Sequence, residues 1–196
     1  MVRLLIYIKH HLSFIWDVIE WTNSMIFFLL YNKKITCALE ELKQAENYTY
    51  CHRRLRRQDM LQLAEFFQRQ PKSAFTFFNP HKFDEKSLIK KNHDHSFIMI
   101  GTFDGEKLIG YSFLRCFFNK QAFRGKIVDS QYQGRGIAKE MGKLTTQICL
   151  YMNFRIFATI SKDNVKSIAS SKAVNEIKII KELPDNYLYV EYLLKK

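Results

Sequence analysis

The stretch Ile127-Val-Asp-Ser-Gln-Tyr-Gln-Gly-Arg-Gly-Ile-Ala138 constrains the fold more than any other part of the chain. A strand-like run enters a turn carrying Gly134 and Gly136, and a long amphipathic helix pattern, 134–152, begins at once. A strand that feeds a helix through so short a turn belongs to an architecture with helices laid against a sheet. The same turn leaves several backbone N–H groups at the positive end of a helix dipole, a ready anion site. Glycines there remove the Cβ atoms that would hold a pyrophosphate away from the backbone. This is not a Walker loop, because the spacing and the Lys-Ser/Thr pair are absent. It is not a dinucleotide fingerprint either, which would need glycine at Lys139 and an acidic-ended second strand.

Around that turn, strand and helix signals alternate from residue 47 onward. Residues 47–55 alternate like a strand, Gln58–Gln70 reads as an amphipathic helix stopped by Pro71, and Ser73–Lys82 is an aromatic loop. Asp84 is a cap for a short helix, Glu85–His93. Phe97–Phe103 and Lys107–Phe118 read as strands joined by an Asp104-Gly105 hairpin turn. Ala122–Asp129 is a strand before the glycine turn and Phe154–Ile160 one after the long helix. Asp163–Val174 is helical with Asp163 as its cap, and Ile177–Leu183 and Tyr187–Leu194 flank a Pro184-Asp185-Asn186 turn. The order is β-α-α-β-β-β-α-β-α-β-β.

Residues 1–46 read as a helical extension set apart from a domain over 47–196. Leu4, Leu5, Ile8, Leu12, Ile15, Trp16 and Ile19 fall at helical spacing, and a second apolar patch covers 24–31. Two readings stay open. The helix packs on the domain or on a second subunit as a homodimer contact, or it lies in the plane of a membrane with its aromatic residues at the headgroups. The longest uncharged run, 21–32, is too short for a spanning helix, which needs ~20 apolar residues. Cys37, Cys51, Cys116 and Cys149 are scattered, without ligand spacing for zinc, and fit buried free thiols in a reducing cytoplasm. His93 and His95 flank Asp94 but lack a third ligand, so no metal is expected.

Gln131-x-x-Gly134-x-Gly136, overlapping Gln133-x-x-Gly136-x-Ala138, resembles the acetyl-CoA signature of the GNAT (GCN5-related N-acetyltransferase) superfamily. Asn164-Val-Lys-Ser-Ile168 resembles that family's N-x-x-S-I segment at the start of the next helix, and the element order over 47–196 is similar to the family's. The resemblance implies an α/β (α+β) fold with a mixed, mostly antiparallel sheet flanked by helices. It implies acetyl transfer from acetyl-CoA, without a metal, to an amine such as an amino sugar or another small molecule. By position, the amides of Gln133, Gly134, Arg135, Gly136, Ile137 and Ala138 would hold the coenzyme pyrophosphate. Ile127 and Val128 would bond the pantetheine through their backbones, and Asn164 through its side chain.

Two departures bear on catalysis. The family's tyrosine acid, seven residues beyond the asparagine, is Ser171 here, and the closing Gly-Phe is Asn175-Glu176. Asp129, at the strand end, and His81, in the Asn79-Pro-His-Lys-Phe83 loop, are base candidates. Asp129 also reads as a solvated turn residue, and His81 as a loop histidine fixing its own backbone. Three functions remain: an N-acetyltransferase, a transferase using another acyl donor, or a degenerate coenzyme A-binding module. The chain carries 31 Lys+Arg against 19 Asp+Glu, a net charge of +12 that first suggests nucleic acid. Residues 1–46 hold five basic and five acidic groups, so the whole excess lies in 47–196. A polyphosphate cofactor accounts for it better than a nucleic-acid partner, and none is expected.

Overall fold

The computed structural model describes residues 13–45 and 48–195. The elements are α1 (Ser13–Ala45), β1 (Cys51–Arg54), α2 (Met60–Gln68), α3 (Glu85–Asn92), β2 (Phe97–Asp104), β3 (Lys107–Phe117), β4 (Gln121–Val128), α4 (Ile137–Tyr151), β5 (Arg155–Ser161), α5 (Val165–Lys172), β6 (Asn175–Leu183) and β7 (Tyr187–Leu194). The order expected for 47–196 is the one found. All seven strands form one sheet in the order β1-β2-β3-β4-β5-β7-β6. Every neighbouring pair is antiparallel except β4 with β5, which is parallel.

Helices cover both faces, so the central strands lose the alternation of a half-exposed sheet; β2 is buried at every position but its last. On one face Leu63, Phe66 and Phe67 of α2 and Leu88 of α3 pack on Phe97, Met99 and Tyr111. On the other, Phe27, Ile35 and Leu39 of α1 share a cluster with Ile98, Ile100 and Leu114 of the sheet and Leu144 and Ile148 of α4. The outer face of α1 leaves Phe14, Val18, Trp21 and Leu29 exposed. The apolar positions expected at 4, 5, 8 and 12 lie outside the described residues. Among the described residues no helix is long and apolar enough to cross a membrane.

Local chemistry sets the boundaries. The Asp84 carboxylate accepts the Ser87 N–H at 2.9 Å and starts α3. Asp185 and Asn186 take left-handed backbone angles, φ 57° and 62°, at the β6–β7 turn. The cap of α5 is Asn164, one residue beyond the Asp163 expected from sequence: Asn164 Oδ1 accepts the Ser167 N–H at 3.1 Å. Asp163 instead accepts the Asn186 side-chain amide at 2.8 Å, tying α5 to the β6–β7 turn. Asn164→Ala is therefore expected to destabilise the protein by about 1 kcal/mol, read as a lower urea midpoint at unchanged slope.

Candidate active site

β4 and β5 are joined only at Gln121–Phe123 against Arg155–Phe157. Beyond Phe123 the strands part, because β4 stays on β3 as far as Val128 while β5 stays on β7 as far as Ser161. The outer edge of β4 from Arg124 onward therefore faces a cleft. Its hydrogen-bond phase follows from one contact, the Asp129 N–H donating to the Ile109 carbonyl at 2.8 Å. In an antiparallel ladder alternate residues turn their polar backbone inward. Ile127, opposite Tyr111, is thus bonded to β3, while Lys126 and Val128 present their N–H and C=O to the cleft. The Ile127 backbone, expected to meet the pantetheine, is therefore turned to β3 and away from the cleft, which Lys126 and Val128 face instead.

At the end of β4 the chain makes its glycine turn. Asp129 Oδ1 accepts the Gln131 N–H at 3.0 Å, and the Gln70 side chain accepts the Ser130 N–H at 2.9 Å. Gly134 and Gly136 both adopt left-handed angles, φ 83° and 82°, and Gly136 opens α4. Nothing lies within 4 Å of where a β-carbon at either glycine would sit. Among the described residues the amides of Gly134, Arg135 and Gly136 meet no acceptor in the protein. Those of Ile137 and Ala138, in the first turn of α4, have no partner within the helix. Ile137 contributes only its backbone, since its side chain is buried beside Ile109 and Met141.

Cations surround this cradle. The Arg135 guanidinium lies 4.6 Å and the Lys107 amine 4.8 Å from the Tyr132 ring centre. The Lys166 amine donates to Gln133 Oε1 at 3.1 Å. Lys126 keeps part of its surface exposed, but its amine reaches beneath α4 and donates to the Ala138 carbonyl at 2.7 Å. Burial, reinforced by the neighbouring Arg124 charge, brings its pKa down to about 7. A cationic, amide-lined cradle of this shape fits a pyrophosphate.

The expected catalytic residues are held by other parts of the protein. Asp129 is 2 % exposed, and its Oδ2 accepts the Arg69 Nε–H at 2.9 Å. Burial works to raise its pKa, but the bonds from Gln131, Arg69 and Gln70 hold the carboxyl below its usual range. A carboxylate so engaged is a weak base, and it is not the solvated turn residue of the alternative reading. His81 donates its Nδ1–H to the Lys82 carbonyl at 2.8 Å and accepts the Tyr111 O–H on Nε2 at 3.0 Å. Burial pushes its pKa down, the Lys82 carbonyl opposing and Lys91 adding. Ser171 is 1 % exposed, with its hydroxyl 3.3 Å from that of Tyr192. Asn164 uses Oδ1 as the helix cap and leaves Nδ2 without a partner among the described residues.

Sequence reasoning missed three groups. Arg69 holds Asp129 and the Leu108 carbonyl together from α2's end, a contact across 60 residues that carries no local signal. Arg124 and Lys126 were legible, since period two places them on one face of β4. The buried Arg124 guanidinium donates to Thr146 Oγ1 at 2.7 Å, Asn175 Oδ1 at 2.8 Å and the Gly142 carbonyl at 3.2 Å. It also lies 3.6 Å from the Tyr192 ring centre.

On the sheet face away from α4, a cavity of about 550 Å³ reaches the same parting of β4 and β5. The loop holding Phe78, Asn79 and Pro80 forms its rim, and Phe97, Phe113 and Gly125 its floor. His81 does not line it; its ring packs among those of Phe67, Phe83, Phe97 and Tyr111 and anchors the loop. Among the described residues no three histidine, cysteine, aspartate or glutamate side chains gather as a metal site would require.

The first turn of α4 also carries Glu140, which accepts the His52 Nε2–H at 3.2 Å and the Thr49 N–H at 3.1 Å. Burial drives the His52 pKa below its ordinary 6.5, and Glu140 only partly opposes this. His81 is shifted the same way. A buried neutral histidine binds its proton more readily when unfolded. Its contribution to stability is thus intact above 6.5 and is lost as pH falls towards the folded-state value. The urea midpoint is expected to drop between about pH 7 and 5, with His52→Gln removing part of that slope.

Comparison with known proteins places these features. The acetyltransferase (GNAT) family model matches residues 57–171. No curated protein sequence matches the chain. Among solved structures, the PaiA N-acetyltransferase of Thermoplasma acidophilum, bound to coenzyme A, is similar at TM-score 0.61 and 13 % identity, covering 76 % of this chain and 100 % of that one. The ribosomal-protein-S5-alanine acetyltransferase of Vibrio fischeri reaches TM-score 0.61 at 21 % identity, over 76 % and 94 % of the two chains. The aminoglycoside acetyltransferase AAC(6')-Ib, with coenzyme A and kanamycin, reaches 0.58 at 12 %, over 75 % and 95 %. At these identities the likeness is one of fold.

Proposed function

The chain belongs to the GNAT acetyltransferase family, and from that premise we propose that it binds acetyl-CoA in the β4–β5 cleft and acetylates an amine seated in the aromatic cavity. The observation that carries this reading is that two sites meet at one gap. The anion cradle and the free edge of β4 lie at the α4 side, and the cavity opens to the same parting of the strands from the other face. When bound, acetyl-CoA supplies the acetyl carbon: the new N–C bond forms as the thioester C–S bond breaks, leaving the coenzyme thiolate.

The residues have separate tasks. The amides of 133–138 and the Arg135 side chain hold the phosphates. The Val128 and Lys126 backbones align the pantetheine as a neighbouring strand would, and Asn164 Nδ2 donates to it. An N–H on this edge of β4 polarises the acetyl carbonyl, an interaction typically worth about 3 kcal/mol. Asp129 is a positioning residue, fixing Arg69 and the turn. The acceptor arrives as a free amine, its ammonium proton released to solvent because the cationic surroundings disfavour an ammonium, and the attacking nitrogen gives up one further proton to solvent as the N–C bond forms. Solvent also protonates the leaving thiolate. Related proteins bind coenzyme A, and one an aminoglycoside, which supports a small amine as the acceptor class here.

Calorimetry with acetyl-CoA and thiol release across a panel of amines test the proposal together. Absence of acetyl-CoA binding would overturn it. Binding without thiol release would favour a coenzyme A-binding module instead, a reading that the burial of Ser171 against Tyr192 supports. Displacement of acetyl-CoA by a long-chain acyl-CoA at lower concentration would point to another acyl donor.

A further inference from the structure

The acceptor cavity has an unusual balance of charge for a site that receives amines. Among the described residues lining it, the charged ones are Arg115 and Arg124, and no carboxylate borders it. Arg124 only borders it, since its guanidinium is turned to the α4 face and spends its donors there on Gly142, Thr146 and Asn175. Arg115 is held by Glu20, which reaches over from α1 to accept at 2.8 Å but does not itself line the cavity. The Arg115 side chain is about one-third exposed. It can therefore exchange its carboxylate partner for another anion without moving a buried charge.

The walls add a shape requirement. Phe97 and Phe113 stack with ring centres 4.9 Å apart and planes 14° from parallel, giving a flat floor. That floor depends on Gly125: a β-carbon there would meet Cζ of Phe113 at 2.7 Å and force the ring up into the cavity. A flat aromatic surface takes the face of a sugar or an aromatic ring. A second ammonium on the acceptor would meet the Arg115 guanidinium and no carboxylate to receive it.

We propose that the acceptor is a single amine carried on a ring that also bears an anionic group bound by Arg115, and that polycationic amines are excluded. This rests on the acetyltransferase reading of the same cleft, so its test measures acceptor binding separately from turnover. The probes are glucosamine 6-phosphate, glucosamine and spermidine, each titrated by calorimetry into protein saturated with coenzyme A. The phosphate-bearing probe is expected to bind at least ten-fold tighter than glucosamine, with spermidine weakest. Arg115→Gln should cut the preference for phosphate several-fold while leaving the affinity for glucosamine in place. Glu20→Gln should raise that preference by freeing Arg115, a gain that misfolding could not produce. Tightest binding by spermidine, a phosphate preference indifferent to both variants, or no acceptor binding to the loaded protein would each overturn the proposal. Failure of coenzyme A itself to bind would refute the underlying acetyltransferase reading, and the proposal with it.

Discussion

Gly134→Glu is expected to abolish acetyl-CoA binding in calorimetry while the protein stays folded. The position has φ 83°, so any L side chain there carries strain of about 1–2 kcal/mol. Nothing lies within 4 Å of the new β-carbon, so no clash adds to that cost. The functional cost is far larger. A glutamate side chain rising from the rim of the cradle fills the space the phosphates need and sets a carboxylate against them, where a like charge costs several kcal/mol. Gly134→Ala separates the two effects, since it carries the strain without the charge and should weaken binding less. Circular dichroism should give nearly unchanged helix content for both. An affinity for acetyl-CoA close to wild type in Gly134→Glu would move the phosphate site away from this turn.

Phe67→Ala is expected to cost about 3–5 kcal/mol of stability, the range for losing a buried aromatic ring. Phe67 is 2 % exposed and joins α2 to the loop before α3. Its ring centre lies 4.3 Å from that of Phe83, 5.4 Å from Tyr111 and 6.1 Å from His81. Removing it opens a cavity beneath the loop that rims the acceptor cavity, so acceptor affinity should fall with stability while coenzyme affinity holds. Urea unfolding gives the first quantity and titration of the loaded protein the second. A loss below about 1 kcal/mol would mean that the surrounding rings close over the gap.

The parts of the fold legible in the sequence are those decided by neighbours along the chain. The glycine turn at 134–136, the Asp104-Gly105 hairpin and the Asp84 cap each rest on one residue's local chemistry, and each stands where the pattern puts it. The α5 cap slipped by one residue because Asp163 and Asn164 are both good caps. The choice between them is made by Asn186, which takes the Asp163 carboxylate. Phase along the long α1 helix was equally unreadable. Phe27 is 1 % exposed and Leu29 76 % exposed, and nothing in that uniformly apolar run says which side meets the sheet.

The catalytic expectations turn on contacts of the same long-range kind. Whether Asp129 is a base depends on Arg69, and whether His81 is one depends on Tyr111, residues distant in sequence that only the fold brings close. The direction of the Ile127 backbone was not legible, because alternation tells which side chains share a face but not which amides face which neighbour. That is fixed by a single cross-strand contact at Ile109. The amide-lined turn at 133–138 needed no such knowledge, since it is built from consecutive residues.

The parting of β4 and β5 divides the backbone ladder of this sheet into two leaves, β1–β4 and β5–β7, joined by three residue pairs, by the core shared beneath α4 and by the Arg124–Asn175 bond. A ligand that bonds to the free edge of β4 while resting on the start of α5 completes the missing seam. It becomes a member of the framework as well as a passenger. Its bonds would then join the two leaves directly across the gap. Ligation should firm both together, in proportion to the logarithm of ligand concentration over its dissociation constant.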